Sequence, residues 1–111
     1  MNTLPRYETA VIRLSKFTEY ALNPQKEKNK ATAFEQALGY DMDNAEALIQ
    51  NIRDHLPLCV AYPKPDTGYG QRYQVNMKLK GPNGKLANVL TAWIDDRVTG
   101  EMRLTSAYVD D

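Results

Sequence analysis

The chain has 111 residues, 42% of them hydrophobic, and its 14 basic residues are balanced by 14 acidic ones. That length buries a core without disulfide or metal staples. The neutral balance excludes a global field drawing the chain to nucleic acid or a membrane, so any anion site must be local.

The opening Met1-Asn2-Thr3-Leu4-Pro5 lacks the charged-then-apolar pattern of a secretory leader, and no run approaches the ~20 apolar residues of a membrane span. A single domain over residues 1–111 is expected, cytoplasmic and without membrane contact, although domains delivered by a larger carrier share these traits. The one cysteine, Cys59, lies in the apolar run Leu58-Cys59-Val60-Ala61 and reads as a small buried hydrophobe in a reducing compartment.

In chain order, Val11-Ile12 is either a short strand or an extended lead-in. Ser15 resembles a helix cap, with Phe17, Tyr20 and Ala21 on one stripe after it and Asn23-Pro24 as its stop. The charged run Lys26-Glu27-Lys28-Asn29-Lys30 reads as a solvated loop or a frayed first turn. Ala31, Phe34 and Leu38 then fall at helical spacing, and Gly39 ends the helix. Asp43 with Glu46 three residues on resembles a capping box, opening a helix whose apolar stripe is Ala45, Leu48, Ile49, Ile52 and Leu56. Pro57 stops it. Leu58–Tyr62 is a strand candidate, and the Pro63–Gly68 connection suits the rim of a sheet.

Arg72–Val109 reads as three strands and two tight turns. Tyr73, Val75, Met77 and Leu79 alternate with polar residues, the period of a half-buried strand. Asn83-Gly84 as a two-residue loop sets Met77 against Leu90, Val75 against Ala92 and Tyr73 against Ile94, leaving only Leu79 opposite Asn88 mismatched. A three-residue Val98-Thr99-Gly100 loop pairs Ile94 with Leu104, Ala92 with Ser106 and Leu90 with Tyr108. The fold class is therefore α+β: two to three N-terminal helices (within about 15–56) packed on one face of a four-stranded antiparallel sheet (about 58–109). In this register Arg72, Lys78, Thr91, Trp93, Arg103 and Thr105 share the open face.

The pattern resembles a family of small uncharacterised bacterial and phage domains found alone and as C-terminal modules of polymorphic toxins. The likeness lies in Leu22-Asn23-Pro24, Lys30-Ala31, Phe34, Leu38-Gly39-Tyr40, Tyr69-Gly70, Tyr73, Gly81-Pro82-Asn83-Gly84-Lys85, Trp93-Ile94, Arg103-Leu104-Thr105 and Ala107-Tyr108. The resemblance implies a fold similar to the barnase, EndoU, colicin and RelE group of ribonucleases, which cut RNA without metal. The family pattern carries a His-Pro pair and a glycine before the lysine, where this chain has Lys26, Glu27, Lys28 and Asn29; chemistry relying on that histidine would be missing here.

Metal-free RNA cleavage needs a group to take the 2′-hydroxyl proton, a group to protonate the leaving oxygen, and cations facing the phosphorane charge. The candidate catalytic residues are Lys30 as a cationic acid, Arg103 as a phosphate fork, and Thr105 and Tyr108 as orienting hydroxyls. The candidate RNA-binding residues are Arg72, Lys78, Thr91 and, for base stacking, Trp93. A polar outer sheet face and an Arg103–Asp95 cross-strand ion pair would explain much of the same pattern without function. His55, the only histidine, suits the end of its helix electrostatically, and a mechanism using two imidazoles is excluded. No cluster has metal-ligand spacing, so no metal or cofactor is expected.

Two functions follow: an RNA-acting domain of toxin type, either a metal-independent ribonuclease or a degenerate RNA-binding relative; or a non-catalytic phage or mobile-element protein that binds a host or phage protein. The expected partners are RNA and a protein, either an immunity protein or a host target.

Overall fold

The computed structural model describes residues 2–110. A 3-10 turn, Tyr7–Thr9, and a π-helical turn, Phe17–Ala21, precede α1 (Lys28–Leu38); a 3-10 turn, Met42–Asn44, then leads into α2 (Ala45–His55). A further 3-10 turn, Leu56–Leu58, is followed by β1 (Ala61–Lys64), β2 (Gly70–Lys80), β3 (Leu86–Asp96) and β4 (Met102–Val109). The strands form one antiparallel sheet in the order β1-β2-β3-β4. The expected α+β architecture is the one observed.

The helices enter the core where the spacing requires. Ala31, Phe34 and Leu38 of α1 are buried, as are Ala45, Leu48 and Ile52 of α2. Gly39 takes φ 85 and its N–H bonds to the Phe34 and Glu35 carbonyls, a left-handed stop that glycine makes without a Cβ penalty. The capping box lies two residues earlier than Asp43/Glu46: the Asp41 side chain accepts from the Asp43 N–H and Asn44 Oδ1 accepts from the Asp41 N–H. The Phe17 stripe also differs. The Leu22 N–H reaches the Phe17 carbonyl at 2.8 Å, closing a wide turn that buries Phe17 and Ala21 and turns Tyr20 to solvent.

Between β2 and β3 the register is one residue from expectation. Gly81 and Lys85 are joined by a 3.0 Å bond and the Gly84 N–H bonds to the Gly81 carbonyl at 3.0 Å, so the loop is Pro82-Asn83-Gly84 with Gly84 at φ 82. Proline suits the second position of such a turn and glycine the left-handed position after it. Met77 therefore faces Val89, Val75 faces Thr91 and Tyr73 faces Trp93. This single step reverses both faces of β3. Thr91 and Trp93, expected on the open face, are 0% and 1% exposed in the core, while Leu90, Ala92 and Ile94 move to the outer side.

Between β3 and β4, Ala92 faces Ser106 and Leu90 faces Tyr108 as expected, but Trp93 faces Leu104 and Ile94 faces Arg103. Thr105 is the extra residue of a bulge, with its hydroxyl donating to the Ala92 carbonyl at 3.1 Å. Leu104 and Ala107 therefore both point inward, and Tyr108 lies on the outer face rather than in the core. Val11 bridges in parallel to the outer edge of β4: its N–H bonds to Met102 O at 2.7 Å and its carbonyl accepts from the Leu104 N–H at 2.9 Å.

At the opposite edge, Pro63 sits in β1, where a missing N–H is tolerated; Leu58, expected at the start of that strand, lies in the preceding turn and is exposed.

Candidate functional site

The π-helical turn and the start of α1 stand beside the second half of β4. Together they enclose a groove of about 150 Å³ lined by Lys16, Tyr20, Glu27, Lys30, Thr105 and Ser106. Lys30 and Tyr108 also line the adjoining depression. Each groove lysine stands over a tyrosine ring: Lys16 Nζ is 5.7 Å from the Tyr20 centroid and Lys30 Nζ is 5.8 Å from that of Tyr108. The π faces hold the ammonium groups without neutralising them. The four ion pairs of the described residues all lie elsewhere. Among the described residues, the cleft therefore presents two ammonium groups outside any ion pair beside the Ser106 hydroxyl, a donor set that suits an anionic oxygen, while the Thr105 hydroxyl is spent on the Ala92 carbonyl.

Three of the four candidate catalytic residues, Lys30, Thr105 and Tyr108, come together here. Arg103 does not. Its Nη2 and Nε donate to Asp96 Oδ2 at 3.0 and 3.3 Å, and it lines neither depression. Its acidic partner is Asp96 rather than Asp95, which pairs with Arg6. The Arg103 guanidinium, followed by the Thr99 and Val98 N–H groups, holds the Asp96 carboxyl below the usual carboxylate range.

Sequence reasoning missed Lys16, Tyr20, Glu27 and Ser106 as groove residues. The available signals were the i, i+4 spacing of Lys16 and Tyr20 and the i, i+3 spacing of Glu27 and Lys30, each of which sets two side chains on one side of a helical turn.

Arg72 and Lys78 are exposed on the outer sheet face, joined by Lys64, the register partner of Arg72, and by Lys80. Among the described residues, none of these four cations forms an ion pair. Between them and β4 runs an apolar centre of Leu90, Ala92 and Ile94, with Ile94 7% exposed between its register neighbours Arg72 and Arg103. Thr91 and Trp93 cannot contact a ligand on this face. Their role is internal.

His55 Nδ1 lies 2.9 Å from the Asn51 carbonyl within α2. Cys59 is half-buried against the core, and burial raises its thiol pKa. Among the described residues, no three His, Cys, Asp or Glu side chains converge as a metal site would need, and no helix is long and apolar enough to cross a membrane.

The family described as "Domain of unknown function (DUF6883)" matches residues 3–111. The chain belongs to the DUF6883 family. No curated protein matches this DUF6883 sequence. Its fold is similar to that of a chain of the contact-dependent growth inhibition toxin–immunity protein complex from Klebsiella pneumoniae 342, at 15% identity and a TM-score of 0.66, over 95% of this chain and 97% of that one. At that identity the likeness is one of fold alone.

Proposed function

We propose that this DUF6883 domain is an RNA-acting module of toxin type, a metal-independent ribonuclease that engages a phosphodiester in the groove between α1 and β4. The observation that carries the reading is the groove itself: Lys16 and Lys30 poised over tyrosine rings beside Thr105 and Ser106, with no carboxylate of the described residues paired to either ammonium. Lys30 faces the developing phosphorane charge and supplies a proton to the leaving oxygen, while Tyr108 and Ser106 orient the phosphate and Thr105, its hydroxyl donated to the Ala92 carbonyl, shapes the groove wall. Arg72 and Lys78 follow the RNA backbone across the outer face. Arg103, held by Asp96, has a structural part. The likeness to a chain of a toxin–immunity protein complex supports a toxin-related setting and a protein partner. Because the target is RNA, the action would be cytoplasmic.

The test is incubation of the purified protein with total RNA in excess chelator, beside a Lys30→Ala variant. Cleavage that survives chelation and is lost in the variant supports the reading. RNA that is bound but left whole identifies a degenerate binding relative.

A second reading is favoured by the apolar centre of the outer face. Leu90, Ala92 and Ile94, edged by polar and basic residues, have the composition of a protein-docking patch. A chain that neither binds nor cuts RNA would leave a non-catalytic module that binds a host or phage protein.

A further inference from the structure

Among the described residues the groove is lined by one carboxylate, Glu27, and none of their ion pairs uses it. Glu27 occupies the position before α1 and makes no side-chain capping bond; its carbonyl serves the helix, accepting from the Ala31 N–H at 2.8 Å. Its carboxylate forms no ion pair with Lys16 or Lys30, although all three line the same cleft. The other polar side chains lining the groove are hydroxyls, which are weak bases, and ammonium groups, which have no free lone pair to take a proton. Half-buried and outside the ion pairs of the described residues, Glu27 shares an open cleft with two cations.

We infer that Glu27 is the general base of the groove, taking the 2′-hydroxyl proton of a ribonucleotide whose phosphate is held by Lys16 and Lys30. The assignment rests on the RNA-cleaving reading above and specifies its substrate as a strand with a free 2′-hydroxyl. In the reaction, the 2′-oxygen–phosphorus bond forms as its proton passes to the Glu27 carboxylate. The bond from phosphorus to the 5′-oxygen breaks, and that oxygen takes a proton from the Lys30 ammonium. The products are a 2′,3′-cyclic phosphate and a 5′-hydroxyl, with no net redox change. Proton return from Glu27 to Lys30 through solvent resets the site.

The experiment compares wild type, Glu27→Gln and Lys30→Ala on a short RNA and on the same strand with a 2′-deoxy residue at the cut position, over a range of pH, with the intrinsic fluorescence of Trp93 confirming that each variant is folded. Glu27→Gln is expected to bind RNA at least as tightly as wild type, having lost a negative charge beside the phosphate, but to cleave about 10²–10⁴-fold more slowly, and to lose the fall in rate toward acidic pH that protonation of a carboxylate base causes. The deoxy strand is expected to stay whole. Undiminished cleavage by folded Glu27→Gln, with Lys30→Ala still impaired, overturns the base assignment and leaves the groove reading in place. Wild type that binds RNA without cutting it overturns both the base assignment and the cleavage reading.

Discussion

The indole N–H of Trp93 donates to the hydroxyl of Thr91 across 2.8 Å, and that hydroxyl in turn donates to the Val75 carbonyl at 2.8 Å. Both side chains are buried, so the threonine hydroxyl satisfies the tryptophan and ties β3 to β2 at once. Such a relay is costly to cut, because an isosteric apolar replacement leaves a buried donor with no partner. Thr91→Val is expected to lose about 1–3 kcal/mol of stability in denaturant unfolding followed by Trp93 fluorescence, whereas Thr91→Ser, which keeps the hydroxyl, is expected to lose less.

The Gly81 approach to α1 is the tightest test of the first hairpin. A Cβ at Gly81 would sit 2.0 Å from the Leu38 carbonyl oxygen, while one at Gly84 would meet nothing within 4 Å. Gly81→Ala must therefore push the β2–β3 turn away from the end of α1, at a cost of about 1–3 kcal/mol or more. Gly84→Ala is expected to cost about 1–2 kcal/mol through its left-handed backbone alone. Thermal unfolding of the two variants measures the difference, and a smaller loss in Gly81→Ala than in Gly84→Ala would contradict the close approach.

Acid should release the Arg103–Asp96 pair. The folded Asp96 carboxyl titrates below its unfolded value, chiefly through the Arg103 hydrogen bonds. Its contribution is thus fully present above the ordinary aspartate range near ~3.9 and is lost as pH falls through the depressed folded value. Asp66 behaves in the same sense, lowered first by the Gly68 N–H and then by Arg97. An NMR titration should show both carboxyls protonating only at pH values below the ordinary aspartate range. In Asp96→Asn the acid-linked loss of stability is expected to shrink.

Arg72 and Lys78 give the outer face its sign. If they follow an RNA backbone, replacing either with alanine should weaken binding similarly across sequences and reduce the slope of log K against log salt by about 0.7 for each phosphate no longer neutralised. Anisotropy titrations at several salt concentrations measure that slope. An unchanged slope would place the RNA elsewhere.

What the sequence disclosed, and what it hid, turns on one loop residue. The positions of α1 and α2, Gly39 as a stop, four antiparallel strands and the inward face of β2 were legible because each depends on local periodicity or on a residue with distinctive backbone freedom. The faces of β3 were not. Asn83-Gly84 reads as a two-residue turn, yet Pro82 in front of it favours a type I turn extended by a left-handed glycine, and that added residue exchanges inside for outside along the whole strand. The Leu79–Asn88 mismatch was the warning. In the observed register Leu79 faces Ala87 and Asn88 faces Lys78.

The bulge at Thr105 was likewise invisible to turn counting, although it restores the expected pairs Ala92–Ser106 and Leu90–Tyr108 beyond it. Of the candidate site, Lys30, Thr105 and Tyr108 meet, whereas Trp93 and Thr91 are core and Arg103 is ion-paired. The meeting of α1 with the β4 edge is a long-range packing outcome that no local pattern encodes.

The most direct test of the groove as the RNA site is an amide chemical-shift map recorded while a short single-stranded RNA is added in the presence of chelator. The account predicts that the largest changes fall on Lys16, Glu27, Lys30, Thr105, Ser106 and Tyr108. Changes confined to other surfaces, or no change at saturating RNA, would contradict it.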